Sequence, residues 1–263
     1  MFKRLTAKGI NYWQEEAFAQ KELVQHAFSE RGADGDFNLA LHTGDEPKKV
    51  INNRRVFTAA LDIDMAQTVT MEQVHGLNIA QVGKKDCGRG MYDYRDSLKA
   101  TDGLITDEKN VALMGCFADC VPLIFLDPQR KVIALSHAGW KGTVGGIAGL
   151  TAEKMVQEYN CAYGDIMVAV GPSIGPCHYE VDRRVINEVQ KFAWWQKVLT
   201  PTAEEHAMLN LWECNRLQLL ELGLKEANIF VSGLCTYCHN DKFFSYRAEN
   251  GRTGRIAAII MLK

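Results

Sequence analysis

Several things are scarce in this chain. Proline occurs six times in 263 residues, and no repeat, low-complexity tract or Pro/Ser-rich linker interrupts it, so a single domain over 1–263 is expected. No apolar run approaches the roughly 18 residues that cross a bilayer, so no membrane partner is expected. Charge of one sign is also missing. The formal net charge is −2, and pairs such as Arg54-Arg55, Lys84-Lys85 and Arg183-Arg184 are scattered among acids, which argues against nucleic acid as a partner. Met1-Phe2-Lys3-Arg4-Leu5-Thr6 lacks the apolar block of a secretory leader. The expectation is a cytoplasmic chain with reduced thiols. What is present is apolar material, 47% of residues, enough for a sizeable core. Eight cysteines are present too, at 87, 116, 120, 161, 177, 214, 235 and 238. A chain this long needs no disulfide staples, so each is core filling or chemistry.

The first 45 residues read as turn-rich. Val50–Leu61, after Pro47, reads as a largely surface helix. Val111–Phe117, Val121–Leu126 and Lys131–Ser136 are short apolar runs suited to strands buried on both faces, with a turn signal at Asp127-Pro128-Gln129-Arg130. Helical spacing follows over Thr143–Tyr159. Ile166–Val170 reads as a strand entering a Gly/Pro-rich loop, and further helices are expected over Asp182–Trp195 and Ala203–Leu222, the latter stopping at Gly223. Strands are expected at Ile229–Ser232, Lys242–Tyr246 and Arg255–Leu262. This mixture predicts an α+β fold, a mixed β-sheet core with packed helices.

Chemistry-bearing side chains stand out where they follow buried strands. Cys120 lies between two apolar runs, His137 ends the next strand before Gly139, and His75 precedes Gly76; glycine at such places lets a ligand or backbone approach. Two imidazoles and a thiolate form a tetrahedral zinc set with an open fourth position, although spacings of 45 and 17 residues are unlike those of a zinc finger. The same residues also suit a Cys120 nucleophile with His137 as its base, or a plain buried cysteine beside two loop histidines. Cys235-Thr236-Tyr237-Cys238-His239 contains half a zinc ribbon and the letters of a c-type haem attachment. No second cysteine pair stands at ribbon spacing, and haem attachment of that kind requires export, so neither role is assigned. Cys116 and Cys161 read as core. For anions, the candidates are the helix start at Lys141–Gly146, Asn53-Arg54, and a cluster of Arg247, Arg252 and Arg255. Glu180 is a candidate acid/base, and Asp102 and Asp119 read as structural carboxylates bonding backbone N–H groups near strand ends.

Taken in order, these segments resemble the YfiH family, laccase-domain proteins also called purine nucleoside phosphorylase-like proteins or peptidoglycan editing factors. The resemblance rests on Leu41-His42-Thr43-Gly44-Asp45, Asn53-Arg54, Glu72-Gln73-Val74-His75-Gly76, Ala118-Asp119-Cys120-Val121-Pro122 and His137-Ala138-Gly139-Trp140-Lys141-Gly142. It continues through Gly171–Pro176, Tyr179-Glu180-Val181, Cys235-Thr236, Phe243–Arg247 and Thr253-Gly254-Arg255. It implies a YfiH-like, cytotoxic-necrotizing-factor-like fold and a catalytic zinc held by His75, Cys120 and His137. It further implies purine nucleosides and phosphate as partners: phosphorolysis of adenosine, inosine, guanosine or methylthioadenosine, and deamination of adenosine. Arg54, Lys141, Glu180 and Arg247 are then the candidates to bind substrate or phosphate. Phe117, Lys141 and Ala248 depart from the family pattern and bear on substrate preference. The family's polyphenol oxidase label implies copper, which His/His/Cys ligands also suit. Seven histidines with no His-x-His pair are too few for the clusters of a multicopper laccase of the usual architecture. A Cys–His amide hydrolase acting on peptidoglycan precursors is the remaining alternative.

Overall fold

The computed structural model describes residues 1–263. The chain opens with β1 (Phe2–Ala7), β2 (Ile10–Glu15), the short helix α1 (Glu16–Ala19) and β3 (Val24–Ser29). These replace the turn-rich segment expected from sequence. β1 and β2 form a hairpin in full register from Phe2↔Glu15 to Ala7↔Ile10, turning through Lys8 and Gly9 at positive φ. Most of β1 is exposed, so it carries none of the apolar alternation that betrays a half-buried strand.

Helix α2 (Pro47–Ala60) comes next, then β4 (Thr68–Thr70), β5 (Ile79–Gln81), β6 (Gly103–Thr106), β7 (Ala112–Phe117), β8 (Val121–Asp127) and β9 (Val132–Ala138). After these come α3 (Trp140–Val144), α4 (Ile147–Tyr159), β10 (Met167–Val170), β11 (Glu180–Asp182) and α5 (Arg183–Val189). The chain finishes with β12 (Leu199–Ala203), β13 (His206–Leu209), α6 (Leu211–Glu221), β14 (Ile229–Val231) and β15 (Ile256–Leu262). The expected helix over Thr143–Tyr159 is broken at Gly145-Gly146, where Gly146 takes φ +82°, a left-handed conformation that glycine adopts without strain. Ala203–Leu222 is not one helix. Its first part belongs to the β12–β13 hairpin, and α6 begins only after Asn210, whose side chain accepts a hydrogen bond from Glu213 N as an N-cap. The helix after Asp182 stops at Val189. Lys242–Tyr246 forms no strand: Phe243 and Phe244 are buried without a ladder.

The core is α+β, as expected, but built on two six-stranded mixed sheets and a small third one. The first sheet runs β1-β2-β3-β15-β7-β4, the second β14-β10-β8-β9-β6-β5, and β11-β13-β12 stand apart. Side-chain alternation sorts the layers. Ile256, Ala258 and Ile260 of β15 face Ile133 and Leu135 of β9 and Ile124 and Leu126 of β8 in one shared core. On the outer face of the first sheet, Ala257 and Ile259 pack with Phe57 of α2. On the outer face of the second, Leu123, Phe125 and Ala134 pack with Ala148, Ala152 and Met155 of α4 and with Leu219 of α6. The result is four layers, helix on sheet on sheet on helices, which explains why β7, β8, β9 and β15 are buried on both faces. No helix is long and apolar enough to cross a membrane.

Candidate metal centre and active site

The chain passes from the first sheet to the second through a three-residue turn, Ala118-Asp119-Cys120, between β7 and β8. Asp119 sits there at φ +80°, a left-handed position that Asp tolerates better than most residues. β8 pairs with β9 so that Pro122 lies opposite His137 and Val121 opposite Ala138. Cys120, one residue before β8, therefore falls beside the end of β9. His75 arrives from the loop after β4, itself at φ +60°. The ligand atoms of His75, Cys120 and His137 lie within 4.8 Å of one another, and the two rings are 4.8 Å apart centre to centre.

One buried carboxylate organises both histidines. Asp102 accepts hydrogen bonds from Val74 N, His75 N and Gly76 N at 3.1, 3.0 and 2.7 Å. His137 Nδ1 bonds the same carboxylate at 2.8 Å, which leaves Nε2 as the ring's free nitrogen, the arrangement by which carboxylates orient metal-binding histidines. Burial pushes His137 down, but Cys120 and Asp102 outweigh it and raise His137 to about 9. Burial likewise pushes the Cys120 thiol up, and the attraction of His137 and His75 brings it down to about 6. Without a metal the two form a thiolate–imidazolium pair between those values. A thiolate and two imidazoles with one open side are the donor set of a catalytic zinc site, and the oriented His137 and the half-buried, ionisable Cys120 fit that group.

Gly139 makes the cluster possible. A Cβ there would fall 2.7 Å from His75 Nδ1 and 3.0 Å from Cys120 Sγ, although its backbone would accept any residue, with φ −65°. Gly139→Ala is therefore expected to displace these side chains and weaken metal binding at this site at least ten-fold, with a far smaller loss of thermal stability; metal titration beside a melting curve checks this.

A second carboxylate holds the wall of the site. Asp119 accepts from Thr236 Oγ1 at 2.7 Å, Ser245 Oγ at 2.8 Å and Arg247 N at 2.6 Å. Around the cluster lies a cavity of ~480 Å³ lined by His42, Gln73, Phe117, Trp140, Ile174, Tyr179, Tyr246, Arg247 and Arg255 as well as the three ligands. The Arg247 guanidinium sits over the Tyr179 ring and donates to the Glu180 carbonyl at 3.1 Å. Burial lowers Arg255 from its ordinary value, and it also borders a neighbouring polar cavity that contains Arg252.

Of the residues singled out in the sequence, His75, Cys120, His137, Arg247 and Arg255 meet in this cavity, and Arg54, Lys141, Glu180 and Arg252 do not. Arg54 lies on the buried face of α2 and gives its N–H groups to the carbonyls of Leu39, Gly90 and Met91, so it is a structural strut. Lys141 is exposed in the five-residue α3, its Nζ 5.8 Å from the Trp140 ring centre. The exposed Glu180 side chain accepts from Thr202 Oγ1. Sequence reasoning passed over Gln73, which bonds both the N–H and the carbonyl of Cys116, and over Tyr246. Both stand within segments that carry the family resemblance.

Residues 25–263 match the model of the family described as multi-copper polyphenol oxidoreductase laccase. The chain belongs to this family. Among its members, the protein named Purine nucleoside phosphorylase YlmD from Geobacillus stearothermophilus is 42% identical over 239 residues, covering 90% of this chain and 87% of that one. One named Adenosine deaminase RL5, from an unknown prokaryotic organism, is 31% identical over 227 residues, 86% of each chain. The crystal structure of the Bacillus licheniformis hypothetical protein YfiH superposes with a TM-score of 0.92 at 36% identity, over 96% of both chains. That structure therefore shares the four-layer arrangement seen here.

Proposed function

We propose that this chain is a zinc-dependent purine nucleoside enzyme whose main reaction is phosphorolysis, with deamination of adenosine as a second activity of the same site. The observation that carries the reading is the meeting, in one cavity, of a His/His/Cys metal set, two arginines and the rings of Phe117, Trp140, Tyr179 and Tyr246. The cavity volume lies in the range of small-molecule sites and suits a nucleoside with a phosphate beside it. The names carried by the relatives point the same way.

His75, Cys120 and His137 would hold the ion, which supplies Lewis-acid polarisation at its open side. The chain's own residues do the rest. The aromatic rings offer faces on which a purine base stacks. Arg247 and Arg255 carry planar guanidinium donor forks that match phosphate oxygens. In phosphorolysis the phosphate so held attacks C1′ of the ribose as the bond to the base breaks, giving free base and ribose 1-phosphate. Positioning and charge stabilisation are most of what such a reaction asks of a protein. In deamination, water replaces the amino group at C6 and ammonia leaves. Arg54, Lys141 and Glu180 have no part in the proposed site.

Purified protein incubated with adenosine, inosine, guanosine or methylthioadenosine is expected to release base only when phosphate is present. Cys120→Ala is expected to empty the His75, Cys120 and His137 site and to abolish turnover. Absence of turnover on every nucleoside, or full turnover by Cys120→Ala, would falsify the reading. The closeness of Cys120 Sγ to the His137 ring supports a second reading, a thiol amide hydrolase, which predicts activity surviving a chelator. The family's description supports a third, copper-dependent oxidation, which predicts copper rather than zinc in protein purified without added metal.

A further inference from the structure

The pair Cys235 and Cys238 lacks a partner at ribbon spacing along the sequence, but folding supplies one. An isolated bridge between Ser173 and Cys235 lays the loop after β10 against the segment after β14, and this brings Cys177-His178 to the pair. Cys177 Sγ and Cys238 Sγ are 3.5 Å apart. His178 Nδ1 is 3.2 Å from Cys177 Sγ and 3.3 Å from Cys238 Sγ. With Cys235 Sγ, the four donor atoms all lie within 4.8 Å of one another. We propose that Cys177, His178, Cys235 and Cys238 bind a structural zinc ion, a second metal centre separate from His75, Cys120 and His137.

Three thiolates and one imidazole form a closed tetrahedral zinc set with no place left for substrate. A tetrahedron with ordinary zinc–ligand distances puts its sulfurs about 3.8 Å apart and sulfur about 3.5 Å from nitrogen. The spacings among Cys177, His178 and Cys238 need to open by only a few tenths of an ångström. The surroundings are those of a ligand site. Gly175 N donates to Cys235 Sγ at 3.2 Å, a bond that stabilises a thiolate. A Cβ on Gly175 would lie 2.8 Å from the Trp212 ring and 3.1 Å from Cys235 Cβ, so glycine is what lets that amide come so close. The Tyr237 ring stacks on His178 at 4.1 Å and 13°, fixing the imidazole plane. Cys177 and Cys238 are exposed, which leaves the ion a way in.

The position suggests what the ion does. It joins the loop that carries Ile174 and Tyr179 to the segment that leads to Tyr246 and Arg247, two walls of the cavity described above. Thr236, next to Cys235, is also the residue that donates to Asp119. The zinc therefore staples the substrate walls from behind. Removing it loosens them without touching the first metal.

Metal per chain is counted by mass spectrometry in three proteins. Wild type is expected to carry two ions, Cys120→Ala one, and the double variant Cys177→Ser/Cys238→Ser one. Because both substituted cysteines are exposed, the double variant loses no packed side chain; a melt by circular dichroism is expected to show a folded protein with Tm lowered by several degrees. Cobalt loaded into Cys120→Ala is expected to give the intense thiolate-to-metal absorption of a tetrahedral site, absent when Cys177→Ser and Cys238→Ser are added. A Cys120→Ala protein without bound metal, or a Cys177–Cys238 disulfide found by peptide mass, overturns the proposal. These measurements use metal count and spectrum alone, so they stand whichever substrate the first site takes.

Discussion

Asp102→Ala is expected to lower folding stability by about 3–5 kcal/mol and to strip the metal from the active site. The carboxylate is fully buried and accepts four hydrogen bonds, three from backbone N–H groups of the His75 loop and one from the His137 ring. Removing one partner of a buried charged pair has an effect of that size, because the donors left behind find no water to replace it. The effect on metal is separate. Without the carboxylate, neither the His75 loop nor the His137 tautomer is fixed, and loss of such a partner alone weakens binding about 10–100-fold. Asp102→Asn tests the two apart. It keeps the volume but sets an amide N–H₂ against a ring of donors, so the protein is expected to fold yet bind metal weakly. Denaturant unfolding and metal titration on both variants check this; Asp102→Asn binding metal as wild type does would show that the carboxylate only supports the loop. Burial alone would raise the Asp102 carboxyl, but the bonds from His137 and Gly76 outweigh it and hold it below the ordinary carboxylate range. Its contribution is therefore present above that range and lost as pH falls through the lowered value. Wild-type unfolding on acidification is expected to be steeper than that of Asp102→Ala.

Asp119→Ala is the second large effect. It frees Thr236 Oγ1 and Ser245 Oγ, both on fully buried residues, and the Arg247 N–H, and it leaves alanine at φ +80°. Together these are expected to lower stability by about 3 kcal/mol or more. Below the melting temperature the surviving fold is expected to keep its metal, because Cys120 is still placed by the β8–β9 ladder, while KM for the nucleoside rises more than ten-fold as Arg247 and Tyr246 lose their anchor. Asp119→Asn keeps the left-handed preference and some hydrogen bonds, and should fall between alanine and wild type. If Asp119→Gly, which removes backbone strain but also the anchor, restored KM, the anchoring role would be wrong.

How much of this was legible in the sequence follows from where each residue lies. Strands β7 to β10 and β15 are buried on both faces, so their apolar runs announce themselves, and Pro47 at the start of α2 marks that helix. The exposed hairpin β1–β2 has no such run. The β12–β13 hairpin hides for another reason: its turn holds Glu204 and Glu205, good helix formers joined in sequence to a real helix. Tertiary pairing with β11 overrides that preference. At the site, glycine neighbours and strand ends pointed to His75, Cys120 and His137. Arg54 reads as a candidate phosphate ligand on a largely surface helix, yet its bonds go to the carbonyls of Leu39, Gly90 and Met91, which no local pattern encodes. Cys177 meets Cys238 across 61 positions, and only a folded chain can show that.

The four-layer build also separates what can vary from what cannot. His137 lies within β9, while Cys120 and His75 sit on short connections tied to the second sheet, and strands packed on both sides leave almost no room for change. The aromatic and cationic rim comes instead from loops that end in turns and caps rather than ladders. A family on this plan can exchange one preferred substrate for another by substitutions in those loops while its inner frame stays still. That relatives carry both phosphorylase and deaminase names is the kind of divergence such a frame permits.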